Sequence, residues 1–93
     1  METHKNDTTN DRNLLREISR QKMVVGAKQL RKALQRGTAK KVVLAQNADP
    51  AITEPIAQMC IEFHIECAWV PNMLDLGKAC GIEVGAAAAA SVK

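Results

Sequence analysis

The sequence predicts a single layered α/β domain in which helices and strands alternate along the chain. Its 93 residues support one modest core, which hides roughly 60–65% of the unfolded chain's surface. Two helical patterns flank an unbroken apolar run. Ala27, Leu30, Ala33 and Leu34 recur three and four apart, as do Ile52, Ile56, Met59, Cys60 and Phe63, so each set can line one helix face. Between them, Lys41 to Ala45 carries Val42, Val43 and Leu44 without a polar break, the pattern of a strand covered on both faces.

Taken in order, Met1 to Asp11 has no apolar periodicity. Residues 1–12 therefore read as a flexible tail, and residues 13–93 as the folded domain. Asn13 to Ser19 holds Leu14, Leu15 and Ile18 at helical spacing, and Met23-Val24-Val25 is a short β-favouring run. The first strong helix lies between Gly26 and Gly37, the latter placed as a C-terminal cap. After the 41–45 strand, Asp49-Pro50 supplies an N-cap and a first-turn proline. Pro55 falls close enough to that start for its missing donor to do little damage. The stripe from Ile52 to Phe63 reads as core.

Ile65 to Val70 forms the next strand, with Ile65, Cys67 and Trp69 on one face. Asn72 caps a helix from Met73 to Cys80, and Gly81 stops it. Gly81 to Gly85 is then a loop displaying Ile82 and Val84, two aliphatic side chains that need something to pack on. Ala86 to Val92 is a conflict. Its run of alanines favours helix by propensity, whereas the alternation of elements calls for a final strand.

Charge is the second signal. The net charge of +3 conceals a strong segregation. From Ile18 to Ala48 there are eight basic residues and no acidic one; from Asp49 onward six acids face only Lys78 and Lys93. A solvated helix face would usually alternate signs, so this asymmetry points to an anionic partner, nucleic acid first. The helix from Gly26 to Gly37 concentrates the effect. Its first turn holds Lys28 and Gln29 where a helix N-terminus normally attracts Asp or Glu, with Arg31 and Lys32 close behind. That arrangement opposes helix stability in isolation and makes sense if phosphates supply the missing negative charge.

Other chemistries find little support. Cys60, Cys67 and Cys80 show no metal-ligand spacing, and their odd number argues against a disulfide framework; each reads as a small buried thiol. His4 lies in the polar tail and His64 near a helix end, neither with a partner for a metal site or a catalytic pair. There is no nucleophile–base set, carboxylate pair or phosphate-cradling glycine loop, so no enzyme, cofactor or metal is expected. Asn47 and Asp49 read as helix-capping residues. No apolar run approaches the roughly 18–20 residues of a membrane span, and the polar start lacks a secretory signal's apolar centre. A cytoplasmic protein is expected.

Together these residues resemble the kink-turn RNA-binding ribosomal protein family, which includes archaeal large-subunit and box C/D ribonucleoprotein members, and specifically its small bacterial members. The resemblance rests on Gly26 to Gly37, on Ala39-Lys40-Lys41-Val42-Val43-Leu44-Ala45, on Asp49-Pro50, and above all on Leu76-Gly77-Lys78-Ala79-Cys80-Gly81-Ile82-Glu83-Val84-Gly85-Ala86-Ala87. It spans Met23 to Val92 in the family's order.

The resemblance implies a three-layer α/β/α sandwich around a central four-stranded mixed sheet, and so a strand at Ala86–Val92. It implies a monomer whose partner is structured RNA containing a kink-turn, such as ribosomal RNA or a regulatory leader. Carried over residue by residue, the interface comprises Gly26, Ala27, Lys28, Gln29, Lys32 and Arg36, together with Ile82, Glu83, Val84, Gly85 and Ala86. Lys28, Gln29 and Lys32 would meet guanine edges and nearby phosphates beside sheared G·A pairs, and Arg36 the backbone. The 82–86 loop would cover unstacked nucleotides. The scarcity of aromatics fits this better than a single-strand binder built on stacking platforms.

One departure concerns Lys28-Gln29, which many archaeal and eukaryotic members replace by Asn-Glu. Lysine only donates, so it suits guanine O6 and N7 or a phosphate; glutamine keeps an acceptor for guanine donors without a carboxylate's charge. The alternative function is a protein-interaction or regulatory module on the same fold, its basic helix serving an acidic partner.

Overall fold

The computed structural model describes residues 14–93, so the expected tail, residues 1–12, and Asn13 lie outside the described residues. A helical turn at residues 14–18 (α1) leads to strand β1 (Met23–Val25), helix α2 (Ala27–Arg36), strand β2 (Ala39–Ala45) and helix α3 (Pro50–Phe63). Strand β3 (Glu66–Val70), helix α4 (Met73–Ala79) and strand β4 (Ala88–Val92) complete the fold. The sheet order is β1-β4-β2-β3. β2 and β3 run parallel, and β4 is antiparallel to both β1 and β2. The sheet is therefore mixed, as expected.

Strand alternation divides the interior in two. Val42 and Leu44 of β2, with Ala88 and Ala90 of β4, face a cluster closed by Leu30, Ala33 and Leu34 of α2 and by Ile56 and Cys60 of α3. Val43, Ala45 and Ala89 point the opposite way, into a cluster closed by Ile18 of α1, Val70 of β3 and Leu76 of α4. Helices thus cover both faces, which gives the three-layer sandwich.

The last segment resolves against local propensity. β4 lies inside the sheet, hydrogen-bonded to β1 on one side and β2 on the other, and Ala88, Ala89 and Ala90 are fully buried. Ladder bonds on both edges and helices on both faces outweigh alanine's helix preference.

The α3 stripe is only partly core. Ile56 and Cys60 are buried, but Ile52 and Phe63 are 38% and 40% exposed, and Thr53 is buried instead. The helix leans on α2 as well as on β2 and β3, which turns its inner face toward Thr53. Pro55 is the sixth helical residue, one turn deeper than a free first-turn position, so it removes an interior helical hydrogen bond. Asp49 caps the start, its Oδ1 accepting from the Ala51 amide at 2.9 Å. The helix ends with His64 in the left-handed region at φ 58°.

Trp69 is 38% exposed on the edge strand, while Ile65 and Cys67 do pack inward. All three cysteines are free. Burial first, then the neighbouring Cys67, pushes the Cys60 thiol from the ordinary 9.0 up to about 12. Burial likewise raises Cys67 and Cys80.

Candidate nucleic-acid interface

The start of α2 is built to stay open. Gly26 takes φ 99° and ψ 146°, a region that L side chains avoid, so glycine is demanded by the backbone rather than by space. Its amide donates to the Ala88 carbonyl at 2.9 Å, and its carbonyl accepts from the Leu30 amide at 3.0 Å. No side chain caps the helix and its first turn holds no acid. Among the described residues, the amides of Ala27, Lys28 and Gln29 have no partner, leaving the positive end of the helix dipole uncompensated. Ala27 packs against the α2–α3 core, while Lys28, Gln29, Arg31, Lys32 and Arg36 are exposed. The ion pairs among the described residues belong to Lys41, at 3.6 Å from Glu17 and 3.5 Å from Glu66. Among the described residues, no carboxylate pairs with Lys28, Arg31, Lys32 or Arg36.

The second part of the site follows α4. Gly81, at φ 85°, closes that helix in a Schellman arrangement. The Ile82 amide donates to the Gly77 carbonyl and the Gly81 amide to the Lys78 carbonyl, each at 3.0 Å. Ile82 then packs on the core cluster beneath, and Ala86 is buried. Of residues 82–86, Glu83, Val84 and Gly85 are exposed, with Val84 at 67%. The expectation that Ile82 and Val84 are displayed together is therefore corrected: Ile82 is the anchor and Val84 the exposed tip. The hydrophobic contact that accompanies a Schellman cap is the physical reason. Ala86 likewise serves as an anchor, its amide donating to the Met73 carbonyl at 2.9 Å.

Sheet ends join the two parts. The Gly26–Ala88 bond attaches the start of α2 to the first residue of β4, and the Ala45 amide donates to the Ala87 carbonyl at 3.0 Å. The exit of the 81–87 loop therefore threads between the ends of β1 and β2, directly beside the open turn of α2.

Gly77, Gly85 and Asn47 take positioning roles beyond those the sequence assigns them. Gly77 touches the loop so closely that a Cβ there would overlap the Val84 carbonyl oxygen and lie 3.2 Å from Gly85 Cα. Gly85 is packed less severely against Met73, whose Cβ would be 3.0 Å from an added one. Asn47 accepts from the Met73 amide at 2.9 Å through Oδ1, tying the end of β2 to α4, whose own cap is Asn72 (Oδ1 to the Asp75 amide, 2.8 Å). A lone glycine inside a helical pattern is the local signal for Gly77; Asn47 reads locally as a capping residue, and the helix whose first amide it accepts from lies 26 residues on.

No group of three His, Cys, Asp or Glu side chains is gathered for a metal among the described residues, and no described helix is long and apolar enough to cross a membrane.

Comparison with known proteins now decides the family. The model of the Ribosomal protein L7Ae/L30e/S12e/Gadd45 family matches residues 11–93. The chain belongs to that family. It is 47% identical over 70 residues to an RNA-binding protein of Bacillus pumilus, covering 75% of this chain and 85% of that one. It is 42% identical over 72 residues to the RNA-binding protein YbxF of Geobacillus stearothermophilus, covering 77% and 88%. Among solved structures, the Giardia lamblia 15.5kD RNA binding protein superposes with a TM-score of 0.81 at 25% identity, covering 98% of this chain and 78% of that one. A Bacillus halodurans protein described as of unknown function gives 0.74 at 26% identity, covering 86% and 81%.

Proposed function

We propose that this chain is an RNA-binding protein that recognises and stabilises kink-turns in structured RNA, working as a cytoplasmic monomer in association with the ribosome. The observation that carries the reading is the pairing of an uncapped, basic helix start with an exposed aliphatic loop tip, joined by the Gly26–Ala88 hydrogen bond. The relatives' designation as RNA-binding proteins supports the polyanion half of it. A straight duplex would meet only one of the two parts at a time. A sharply bent RNA can offer phosphates and base edges to Lys28, Gln29 and Lys32, and an unstacked nucleotide to Val84, simultaneously.

Stabilisation then requires no chemistry. The protein contacts the bent form more extensively than the extended one and shifts that population by the difference in affinity. Lys28 and Lys32 donate to guanine acceptors or phosphates, Gln29 accepts from guanine donors, and Arg36 holds the backbone. Gly26 and Ala27 let the RNA approach the open amides. Glu83 and Gly85 flank the Val84 tip, and Ile82 and Ala86 anchor it. The domain over residues 13–93 holds all of these.

Equilibrium binding to matched RNAs tests the reading: a kink-turn, the same sequence with its G·A pairs made Watson–Crick, and a straight duplex of equal length. The kink-turn should bind tightest, and Lys32→Ala should weaken it by roughly 1–3 kcal/mol. Equal affinity for the three RNAs contradicts kink-turn recognition, and tighter binding to an acidic protein would favour the protein-interaction reading.

A further inference from the structure

The proposed interface occupies one end of the sheet, but α2 leads away from it. Its stripe Gln29, Lys32 and Arg36 runs toward the opposite end, where it forms one wall of a groove of about 290 Å³. The other wall comes from the beginning of β1 and the end of β4, which bring Lys22 and Lys93 to the rim. Backbone bonds hold that rim in place: the Val92 amide donates to the Lys22 carbonyl and the Lys93 amide to the Thr38 carbonyl, each at 3.0 Å. The floor is apolar, with Val24 and Val92, and no Asp or Glu side chain lines the groove among the described residues. Lys22, Lys32, Arg36 and Lys93 are all exposed.

We infer that this groove is a second phosphate-binding track, which takes the sugar–phosphate backbone of the RNA arm that continues from the bend along α2. The inference rests on the proposed RNA-binding function and extends its footprint. Four basic side chains on two walls with no acidic side chain among them favour a partner that is itself a row of anions. The groove is open and its cations are flexible surface side chains, which suits a continuous backbone better than a single enclosed anion. The apolar floor accepts ribose between the phosphates. The track starts where the groove-reading residues end, since Gln29, Lys32 and Arg36 belong to both. Ten helical residues at 1.5 Å each make α2 about 15 Å long, so an arm ending at the bend cannot reach Lys22 and Lys93.

Lys22 and Lys93 lie outside the proposed kink-reading set, which makes them the probe. The experiment measures Kd against salt for the full-length protein and for the double variant Lys22→Gln/Lys93→Gln, on kink-turn RNAs with one arm long or cut back. A straight duplex serves as control. On the long-arm RNA the variant should lose roughly 1.4–1.8 from the slope of log K against log salt, at about 0.7–0.9 per phosphate contact. Wild type then loses about tenfold more affinity than the variant between 50 and 200 mM salt. On the cut-back RNA the two proteins should coincide. An unchanged slope on the long arm, or equal weakening on both RNAs, overturns the second track while leaving kink-turn recognition standing. Wild-type protein that fails to distinguish kinked from straight RNA overturns the proposed function, and the track with it.

Discussion

Replacing Gly77 with alanine sets two opposite effects against each other. In an ordinary helix interior the change is stabilising by roughly 0.5–1 kcal/mol, because alanine restricts the unfolded chain and favours helix. Here the new methyl would overlap the Val84 carbonyl oxygen and stand 3.0 Å from its carbon, well inside the roughly 3.5–4.0 Å optimum for carbon contacts. The obstructing atoms are backbone, so the loop must move by something on the order of 1 Å. Overpacking of that kind costs typically about 1–3 kcal/mol. The shift also strains the Ala86–Met73 hydrogen bond, worth roughly 0.5–1.5 kcal/mol. Subtracting the helix gain leaves a net loss of about 2 kcal/mol, or roughly 8–16 °C in Tm at 4–8 °C per kcal/mol for a domain of this size. Thermal unfolding followed by circular dichroism measures it. A Tm equal to or above that of the wild type would refute the packing of the 81–87 loop on α4.

The loop's two aliphatic residues should separate cleanly. Val84→Ser should change stability by less than about 0.5 kcal/mol yet weaken kink-turn binding, whereas Ile82→Ser should cost about 1–3 kcal/mol of stability; denaturant unfolding and a gel shift on each variant check both. His64 pays the left-handed penalty of a non-glycine residue, so His64→Gly should raise stability by up to about 1 kcal/mol, read as a higher urea midpoint. The raised Cys60 thiol stays protonated in the folded chain while the unfolded thiol ionises from about pH 9. The unfolded state then holds fewer protons, so stability should fall as pH rises from 9 toward 12. Cys60→Ala should flatten that decline, as urea titrations at several pH values would record.

The parts of this fold legible in the sequence were those specified locally. Asp49-Pro50, Asn72 and the Gly26–Gly37 pair punctuate their helices, and Val42-Val43-Leu44 can only be a doubly covered strand. β4 was not legible in that way, because what makes the last three of five alanines a strand is the pair of neighbours β1 and β2. Resemblance, not propensity, identified it. The candidate site divides similarly. The basic start of α2 stands out in the charge pattern, since exposed cations need no tertiary context. The split between Ile82 and Val84 depends on the cap geometry after Gly81, and the tie from Asn47 to Met73 joins residues 26 apart in the chain, beyond any local pattern. Lys22 and Lys93 stand at opposite ends of the domain's sequence and meet only because β1 and β4 pair.

The central claim is that binding and bending are one event. Energy transfer between dyes on the two arm ends of a kink-turn RNA, in buffer without divalent ions, measures it directly. Titrating the protein should raise transfer to a plateau that matches the binding curve. Moving the bent fraction from 1% to 99% requires about 5.5 kcal/mol of preference for the bent form. The same RNA with its G·A pairs replaced should stay extended. Saturated binding with no change in transfer, or the same change on both RNAs, would contradict the account.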